Sequence, residues 1–515
     1  MPPHDDAEGM TGAPPQGPRR HRGAPAPPPA HTPRPLDGRG LALIALFGGS
    51  LLLALAASGK SFNYHEARYA QGAREMLERG SWLVPTIGER PRLQKPPLVY
   101  WSMATAMAAF GSEREWPARL PSVAASVLVA ILVADLAARR LGPRLGLLAG
   151  LAQASSVYVL VSGQLADPDM LLTAAVTAGM WSFARGTLDA APSPRRFALG
   201  FWGAAGLAFL VKGPIGPALF VPAALLFAAL TRRRASVAFF FDPRGLALFA
   251  LLVVAWPLAA YLSYPGILDA WLEENVSRFR GELGRSSPLF YLYTAPWMVL
   301  PWTPFAIVGA VSAWREPRRD AVWGLSAAWL GLGLAILSAS AGKHDRYLAP
   351  ILPPVALLAG RGLLDVAPRI RRRPAAVLAG VLAAEWVIAA GLQQLVAARF
   401  DAYGPHRDLA RRLPGKVPPQ SPLLVVAVPN NVRTQLLYYV RQPAKIVDDP
   451  ATLGSMLASD AAEAWILTPA AAHGSLTRLG TVEVVDRAAG TLAHQRDADR
   501  LTLVHLRIGA ERRPG

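Results

Sequence analysis

The chain has 515 residues, 52% of them hydrophobic and only 17% charged, with a mean hydropathy of +0.26. Soluble domains carry about 25% charged residues, so this balance excludes an ordinary soluble enzyme and points to a polytopic membrane protein. The net charge of +18 does not signal nucleic-acid binding, because the basic residues punctuate the apolar runs, and the lack of cysteine excludes disulfides and Cys-ligated metals.

Residues 1–38 are rich in Pro, Gly and Arg, cannot bury a core, and read as a disordered cytoplasmic tail. The apolar run that follows is too long for a signal peptide and lacks a small-residue cleavage site, so it reads as a retained span. Runs long enough to cross a hydrocarbon core about 30 Å thick fall near 40–58, 119–138, 143–162, 170–187, 196–211, 215–231, 246–263, 291–313, 322–340, 347–365 and 375–396. Every second connection is arginine rich: Arg139, Arg140 and Arg144; Arg185, Arg195 and Arg196; Arg232 to Arg234; Arg315, Arg318 and Arg319; Arg369 and Arg371 to Arg373. With the N-terminal arginines, these place the N-terminus and alternate loops in the cytoplasm. The segment 97–111 is short for a crossing and would break this alternation, so it is expected to lie on the outer face. Beyond Val396 the pattern becomes strand-like, as in LLVVAV, TVEVV and LTLVHL, with helical stretches between. The expected fold is an all-α polytopic membrane protein of about eleven spans, with outer-face juxtamembrane helices and a small C-terminal α/β domain. The domain boundaries read as 1–38 for the tail, 39–398 for the membrane domain and 399–511 for an extracytoplasmic α/β domain.

The outward loops hold the unusual polar residues. HEARYAQGAREMLERG has a helical period and would lie flat at the membrane surface, with His65 and Glu66 at its N-terminal end. Lys95 stands just before a Pro pair that holds the chain extended. GQLADPDML sets Asp167 and Asp169 at the mouth of two apolar spans, where an acid is costly unless solvated or paired. Later loops bring Lys212, then Glu273, Glu274 and Arg278, then Lys343, His344, Asp345 and Arg346. Lys and Arg at that depth suit a lipid phosphate, and carboxylates beside them suit a general base. No phosphate-binding glycine motif follows a strand, so a cytoplasmic nucleotide is not the donor. A lipid-linked donor on the outer side fits instead.

The stretches HEARYAQGAREMLERGSWLVP, LQKPPLVYW, PDMLLTAAVTAGMWSF, VKGPIG, NVSRF, PWTPFAI and SAGKHDRYLAPILPP occur in this order. Over residues 40–365 the chain resembles the GT-C integral-membrane glycosyltransferases of the protein O-mannosyltransferase superfamily, nearest the lipid A aminoarabinose transferase branch. The resemblance implies an inverting glycosyltransferase of the inner membrane, acting on its outer face. It would take a polyprenyl-phosphate sugar as donor and a glycolipid, polymer or protein as acceptor, among membrane lipids and without nucleic acid. It carries the family's first-loop acid pair onto His65 and Glu66, followed by Arg68 and Tyr69, and its second acid onto Asp169. The resemblance implies that Arg68, Tyr69, Lys95, Lys212, Arg278, Lys343 and Arg346 bind the substrate, with Arg68 on the lipid phosphate.

Histidine replaces the first acid at position 65, which leaves either Glu66 or His65 itself to act as base. A degenerate enzyme or a lipid-glycan binding protein is the alternative, and a transporter is a further rival, although few acids (Asp135 and Glu385) fall within the spans. The branch's metal-ligand positions hold Gln94 and Asn275 here, so no metal site is carried over, and a divalent metal is left as the one cofactor open to it.

Overall fold

The computed structural model describes residues 35–88, 90–112, 114–189, 193–232, 234–280, 285–316, 320–369, 373–421, 423–453, 457, 463–489 and 500–508. The expected tail, up to residue 34, lies outside them. Helix α1, Gly38–Ala56, starts where the Asp37 carboxylate accepts the Gly40 amide at 2.8 Å. Two helices follow before the next long one: α2, Tyr64–Arg79, and α3, Leu98–Phe110. A two-residue hairpin, β1 (Thr86–Ile87) and β2 (Arg90–Pro91), lies between them. At 13 residues α3 is about 20 Å long, too short to cross the apolar core of a bilayer.

Helix α4, Trp116–Leu141, is the ruler of the bundle. Its 26 residues span about 39 Å and separate two ends of different chemistry. At one end Arg140 pairs with Asp189 at 3.2 Å and Asp320 at 2.8 Å, so it ties together connections that the arginine pattern placed on one side. At the other end Arg119 meets the segment that opens α2. The chain then runs through α5 (Pro143–Ala154), α6 (Val157–Ser162), α7 (Asp169–Thr187), α8 (Pro194–Lys212), α9 (Ile215–Ala218) and α10 (Val221–Thr231). It continues with α11 (Arg234–Phe240), α12 (Pro243–Ser263), α13 (Ile267–Arg280), α14 (Phe290–Met298), α15 (Thr303–Arg315) and α16 (Ala321–Ala339). A 3-10 turn over Asp345–Ile351, α17 (Pro353–Val366) and α18 (Pro374–Arg399) complete the bundle.

Among the described residues, α1, α4, α12, α16 and α18 are long and apolar enough to cross a membrane as single helices. Two bent pairs raise the number to seven: α14 with α15, at 106°, and the 3-10 turn with the helix after it, at 70°. Several continuous runs of the sequence are therefore broken helices. The run at 143–162 breaks at Ser155 and Ser156, whose hydroxyls donate to the Leu151 and Ala152 carbonyls at 2.8 and 2.7 Å. The run at 291–313 breaks beside Pro301, which has no amide to continue the ladder.

The tightest crossing is between α15 and α17. A Cβ on Gly309 would stand 1.9 Å from the Leu358 carbonyl oxygen, and one on Gly362 would stand 1.9 Å from that of Phe305. Small residues let these backbones touch. Gly309→Ala is expected to cost about 1–3 kcal/mol, read as a lower thermal midpoint in detergent, whereas Ala at the open Gly331 leaves the midpoint unchanged.

The C-terminal residues form a sheet of β3 (Leu423–Val426), β4 (Ala444–Val447), β5 (Glu463–Pro469), β6 (Gly480–Arg487) and β7 (Leu501–Ile508), in the order β4-β3-β5-β7-β6. The first three strands are parallel, and β7 runs antiparallel to both of its neighbours. Helices α19 (Gly404–Arg412) and α20 (Asn430–Tyr439) accompany the sheet, and α20 docks on α2. The Arg74 guanidinium donates to the Leu437 carbonyl at 3.0 Å and to that of Tyr438, while the Phe62 amide donates to the Tyr439 hydroxyl at 2.9 Å. Helix α2 is thus not a surface helix with a solvated polar face. Arg74 is buried under α20, Glu75 beside the β1–β2 hairpin, and Glu66 against Arg119 of α4; Gln71, bonded to Glu75, is buried with them.

Candidate active site

The site begins at the N-terminus of α2. Asn63 caps the helix through the His65 and Glu66 amides, at 2.9 and 3.1 Å, and Glu66 reaches back to the Asn63 amide at 3.1 Å. The same Glu66 carboxylate, 1% exposed, pairs with the Arg119 guanidinium at 2.8 Å and accepts the Ala166 amide at 3.1 Å. Arg119 in turn donates to the Ala56 and Lys60 carbonyls at 3.0 and 3.1 Å. One buried ion pair therefore pins α1, α2, α4 and the short loop before α7. Both oxygens of the Glu66 carboxylate are engaged in this way, which ties the acid to the loop.

That loop delivers two acids side by side. The Asp167 carboxylate accepts the Asp169 amide at 3.0 Å, and Asp169 is the first residue of α7. Asp169 Oδ1 lies 2.6 Å from Lys212 Nζ, at the C-terminus of α8, and its Oδ2 lies 3.6 Å from Arg346 Nε. Asp167 Oδ2 is 3.8 Å from Arg346 Nη1 and has no hydrogen-bond donor among the described residues. Both acids are buried, at 1% and 3% exposure. Burial, and then the neighbouring Asp169 charge, push the Asp167 carboxyl well above the usual carboxylate range. Two adjacent acids thus differ in setting: Asp169 is held by two cations, and Asp167 keeps its proton more readily than an ordinary carboxyl.

Lys212 also lies 4.4 Å from the centre of the Tyr347 ring, and both border a cavity of about 400 Å³. Its walls are apolar, with Leu172, Ile215, Leu219, Ile336 and Leu337. Lys95 closes the mouth and pairs with Glu274 at 3.0 Å. An apolar pocket capped by two ammonium groups beside an ion-paired acid can seat an alkyl chain with its phosphate toward the cations.

The other expected residues fall outside this cavity. His65, the second residue of α2, is exposed. Its desolvation, and then the charges of Arg346, Arg68 and His344, lower its pKa to about 4. It is therefore a neutral imidazole at physiological pH. Tyr69 is buried 5.4 Å from the Tyr100 ring, and burial pushes its hydroxyl up. Lys343 turns back to the Ser340 carbonyl of its own loop and does not line the cavity. Arg68 packs on Tyr64 at 5.1 Å and lines a different cavity. Helix α13 is described, but the side chains of Arg278 and Asn275 lie outside the described residues. Arg119 was missed by sequence reasoning. The available signal was a lone cation in the first turn of a long apolar helix. Among the described residues no three His, Asp or Glu side chains gather together, and Gln94 offers a neutral amide.

A bundle of membrane helices with this arrangement defines an integral-membrane glycosyltransferase of the GT-C fold. ArnT of Cupriavidus metallidurans, solved with undecaprenyl phosphate bound, covers 91% of this chain and 98% of its own with a TM-score of 0.74 at 18% identity. The Archaeoglobus fulgidus oligosaccharyltransferase tethered to an acceptor peptide gives 0.51 over 81% of this chain and 65% of its own, at 12% identity. Residues 94–261 match the dolichyl-phosphate-mannose-protein mannosyltransferase family. The undecaprenyl phosphate-α-4-amino-4-deoxy-L-arabinose arabinosyl transferase of Yersinia pestis is 30% identical over 387 residues, 72% of this chain and 69% of that one. Its counterpart in Pectobacterium carotovorum is 28% identical over 323 residues, 60% of this chain and 56% of that one. The chain belongs to this transferase family and is a multi-pass membrane glycosyltransferase.

Proposed function

We propose that the protein moves a sugar from a polyprenyl-phosphate carrier to an acceptor on the outer face of the cytoplasmic membrane, with inversion at the anomeric carbon. The donor in the relatives' name, undecaprenyl phosphate-α-4-amino-4-deoxy-L-arabinose, is the first candidate, and an outer-face glycolipid is the first candidate acceptor. The observation that carries the reading is Asp169 clamped by Lys212 and Arg346, with Lys212 and Lys95 both lining the apolar cavity. Apart from Glu385, midway along α18, the acids and cations named above lie at helix ends and in connections, which favours transfer over transport.

The polyprenyl chain occupies the apolar cavity, with its phosphate toward Lys95 and Lys212. The acceptor oxygen bonds to the anomeric carbon as the bond from that carbon to the phosphate oxygen breaks. The carrier leaves as a phosphate anion, its growing charge held by cations already in place. Where the attacking group is a hydroxyl, its proton passes to Asp169. Where it is a phosphate oxygen there is no proton to move, and Lys212 and Arg346 offset the Asp169 charge. No step requires a metal or another cofactor.

The N-terminus is assigned to the cytoplasm, with eleven crossings and the C-terminal α/β unit outside, as the arginine-rich connections indicate. The pairing of Arg140 with Asp189 and Asp320, far along α4 from Arg119, supports that sidedness.

Lys212→Gln tests the donor site. It is expected to raise the donor KM and lower kcat/KM at least tenfold while leaving the acceptor KM unchanged. An unchanged donor KM contradicts the assignment. His65 gives a second check. With a folded pKa near 4, it does not titrate between pH 6 and 8, so His65→Asn leaves the shape of the rate profile unaltered in that window. A folded pKa below the unfolded value of about 6.5 contributes stability that is complete above pH 6.5 and declines as pH falls toward 4. The wild-type thermal midpoint therefore falls more steeply than that of His65→Asn over this range.

A further inference from the structure

A cavity of about 600 Å³ lies between α2, the turn of the β1–β2 hairpin and the stretch that leads from α20 into β4. That volume falls among small-molecule sites, which run from about 300 to 1,000 Å³. Its walls are held in place. Arg74 of α2 ties to the last turn of α20 through the Leu437 carbonyl at 3.0 Å. Gly88, with a φ of 58°, brings the hairpin turn so close to β4 that a Cβ there would stand 2.8 Å from Ile446 Cδ1.

On the α2 wall Gln71, 3% exposed, gives its Nε2 to the Glu75 carboxylate at 2.7 Å. An ionised carboxylate only accepts, so the orientation of this amide is set and Oε1 is the atom left over. It has no donor among the described residues. Glu75 is held where it is, because the Thr86 hydroxyl and the Gly88 amide, the latter at 2.7 Å, also donate to it. On the wall that leads into β4, Gln442 Nε2 has no acceptor among the described residues. The charged side chains are matched within the protein: Arg74 lies 3.1 Å from Glu78, Arg79 lies 4.0 Å from Glu75, and Arg441 donates to the Ser112 carbonyl at 2.8 Å. That leaves two neutral amide atoms, one acceptor and one donor. Buried polar atoms without a bond cost stability, and their presence on two walls of one cavity points to a ligand that bonds to both. Hydroxyl groups do so, since each donates and accepts. Leu437, Val440 and Pro443 add apolar surface for the C–H face of a pyranose ring. Gln71 follows Glu66 by five residues, about 7.5 Å along α2, so the cavity stands close to the end of α2 that borders the transfer site.

We propose that this cavity binds neutral sugar units, with Gln71 accepting from their hydroxyls and Gln442 donating to them. The choice of sugar over other neutral polar ligands rests on the transferase reading above. The site gives the C-terminal unit a share in holding glycan.

The test uses the full-length protein in detergent without donor, with maltotriose and N,N′-diacetylchitobiose as probes and titration calorimetry as the readout. Wild type is expected to bind at least one of them saturably, and Gln442→Leu to bind it at least tenfold more weakly. Without sugar the thermal midpoint of Gln442→Leu is expected to equal or exceed that of wild type, because the variant loses a polar atom that had no bond. Gln71→Met repeats the measurement from the α2 wall. No saturable binding of either saccharide by wild type, or equal affinity in wild type and both variants, overturns the proposal. A bound saccharide that competes with a glycolipid acceptor identifies the acceptor's own sugars as the natural occupant. One that binds without competing identifies a separate glycan, and the site stands in both cases. Saccharide binding in a protein that transfers from no donor sinks the transferase reading and leaves the site. Transfer without saccharide binding sinks the site alone.

Discussion

Asp169→Asn is expected to lower sugar transfer by about 10²–10⁴-fold while the protein still folds and binds the donor. The substitution keeps the shape of the side chain and removes its charge. Asp169 is the acid at which the geometry converges: Lys212 Nζ at 2.6 Å, Arg346 Nε at 3.6 Å, and its own amide fixed by Asp167. The asparagine amide cannot accept a proton from an acceptor hydroxyl. It also leaves Lys212 free to settle on the donor phosphate, so donor affinity holds or rises while kcat falls. That split between kcat and KM identifies a group acting on the reacting atoms. A variant that loses donor binding and thermal stability together would instead mark Asp169 as a structural acid. Turnover and donor binding measured on the same purified preparation separate the two.

Arg119→Leu is expected to destabilise the protein by about 3–5 kcal/mol, the cost of leaving one member of a buried pair alone. Glu66 would stay buried at 1% exposure without its guanidinium, and the Ala56 and Lys60 carbonyls would lose their donor. Glu66→Gln is milder, because its amide oxygen still accepts from Ala166. The effect is read as a lower thermal midpoint or reduced yield of folded protein. It also separates two roles for Glu66. If this residue were the base, Glu66→Gln would abolish transfer at unchanged stability. As an anchor, it loses stability first and retains measurable transfer.

The membrane class, the helix starts and the clustering of polar groups in alternate loops were legible because each leaves a local trace: apolar run length, an arginine count, a Pro pair beside Lys95. Asp169, Lys212 and Arg346 could be named from the chain, but their convergence could not. They come from three connections 43 and 177 residues apart, counted from Asp169, and only the packing of α7, α8 and the 3-10 turn brings them together. Burial of α2 on its polar side was not legible either. Its periodicity reads as amphipathic, and the cover is α20, more than 350 residues further on. The breaks in the runs 143–162 and 291–313 were partly written in Ser155, Ser156 and Pro301, which an average over apolar residues hides. The surroundings of Glu66 were hidden for the opposite reason: a matching motif offered it as a base, and the cation it pairs with, Arg119, stood 53 residues away without a motif of its own.

The central claim is transfer from a polyprenyl-phosphate sugar with inversion at the Asp169 site. The most direct measurement is to incubate the purified, reconstituted protein with undecaprenyl phosphate-linked radiolabelled 4-amino-4-deoxy-L-arabinose and a phosphorylated outer-face glycolipid, and to determine the anomeric configuration of the labelled product. The account predicts label on the acceptor with the configuration opposite to that of the donor, and about 10²–10⁴-fold slower labelling with Asp169→Asn. Retained configuration, or equal labelling by Asp169→Asn, would contradict it.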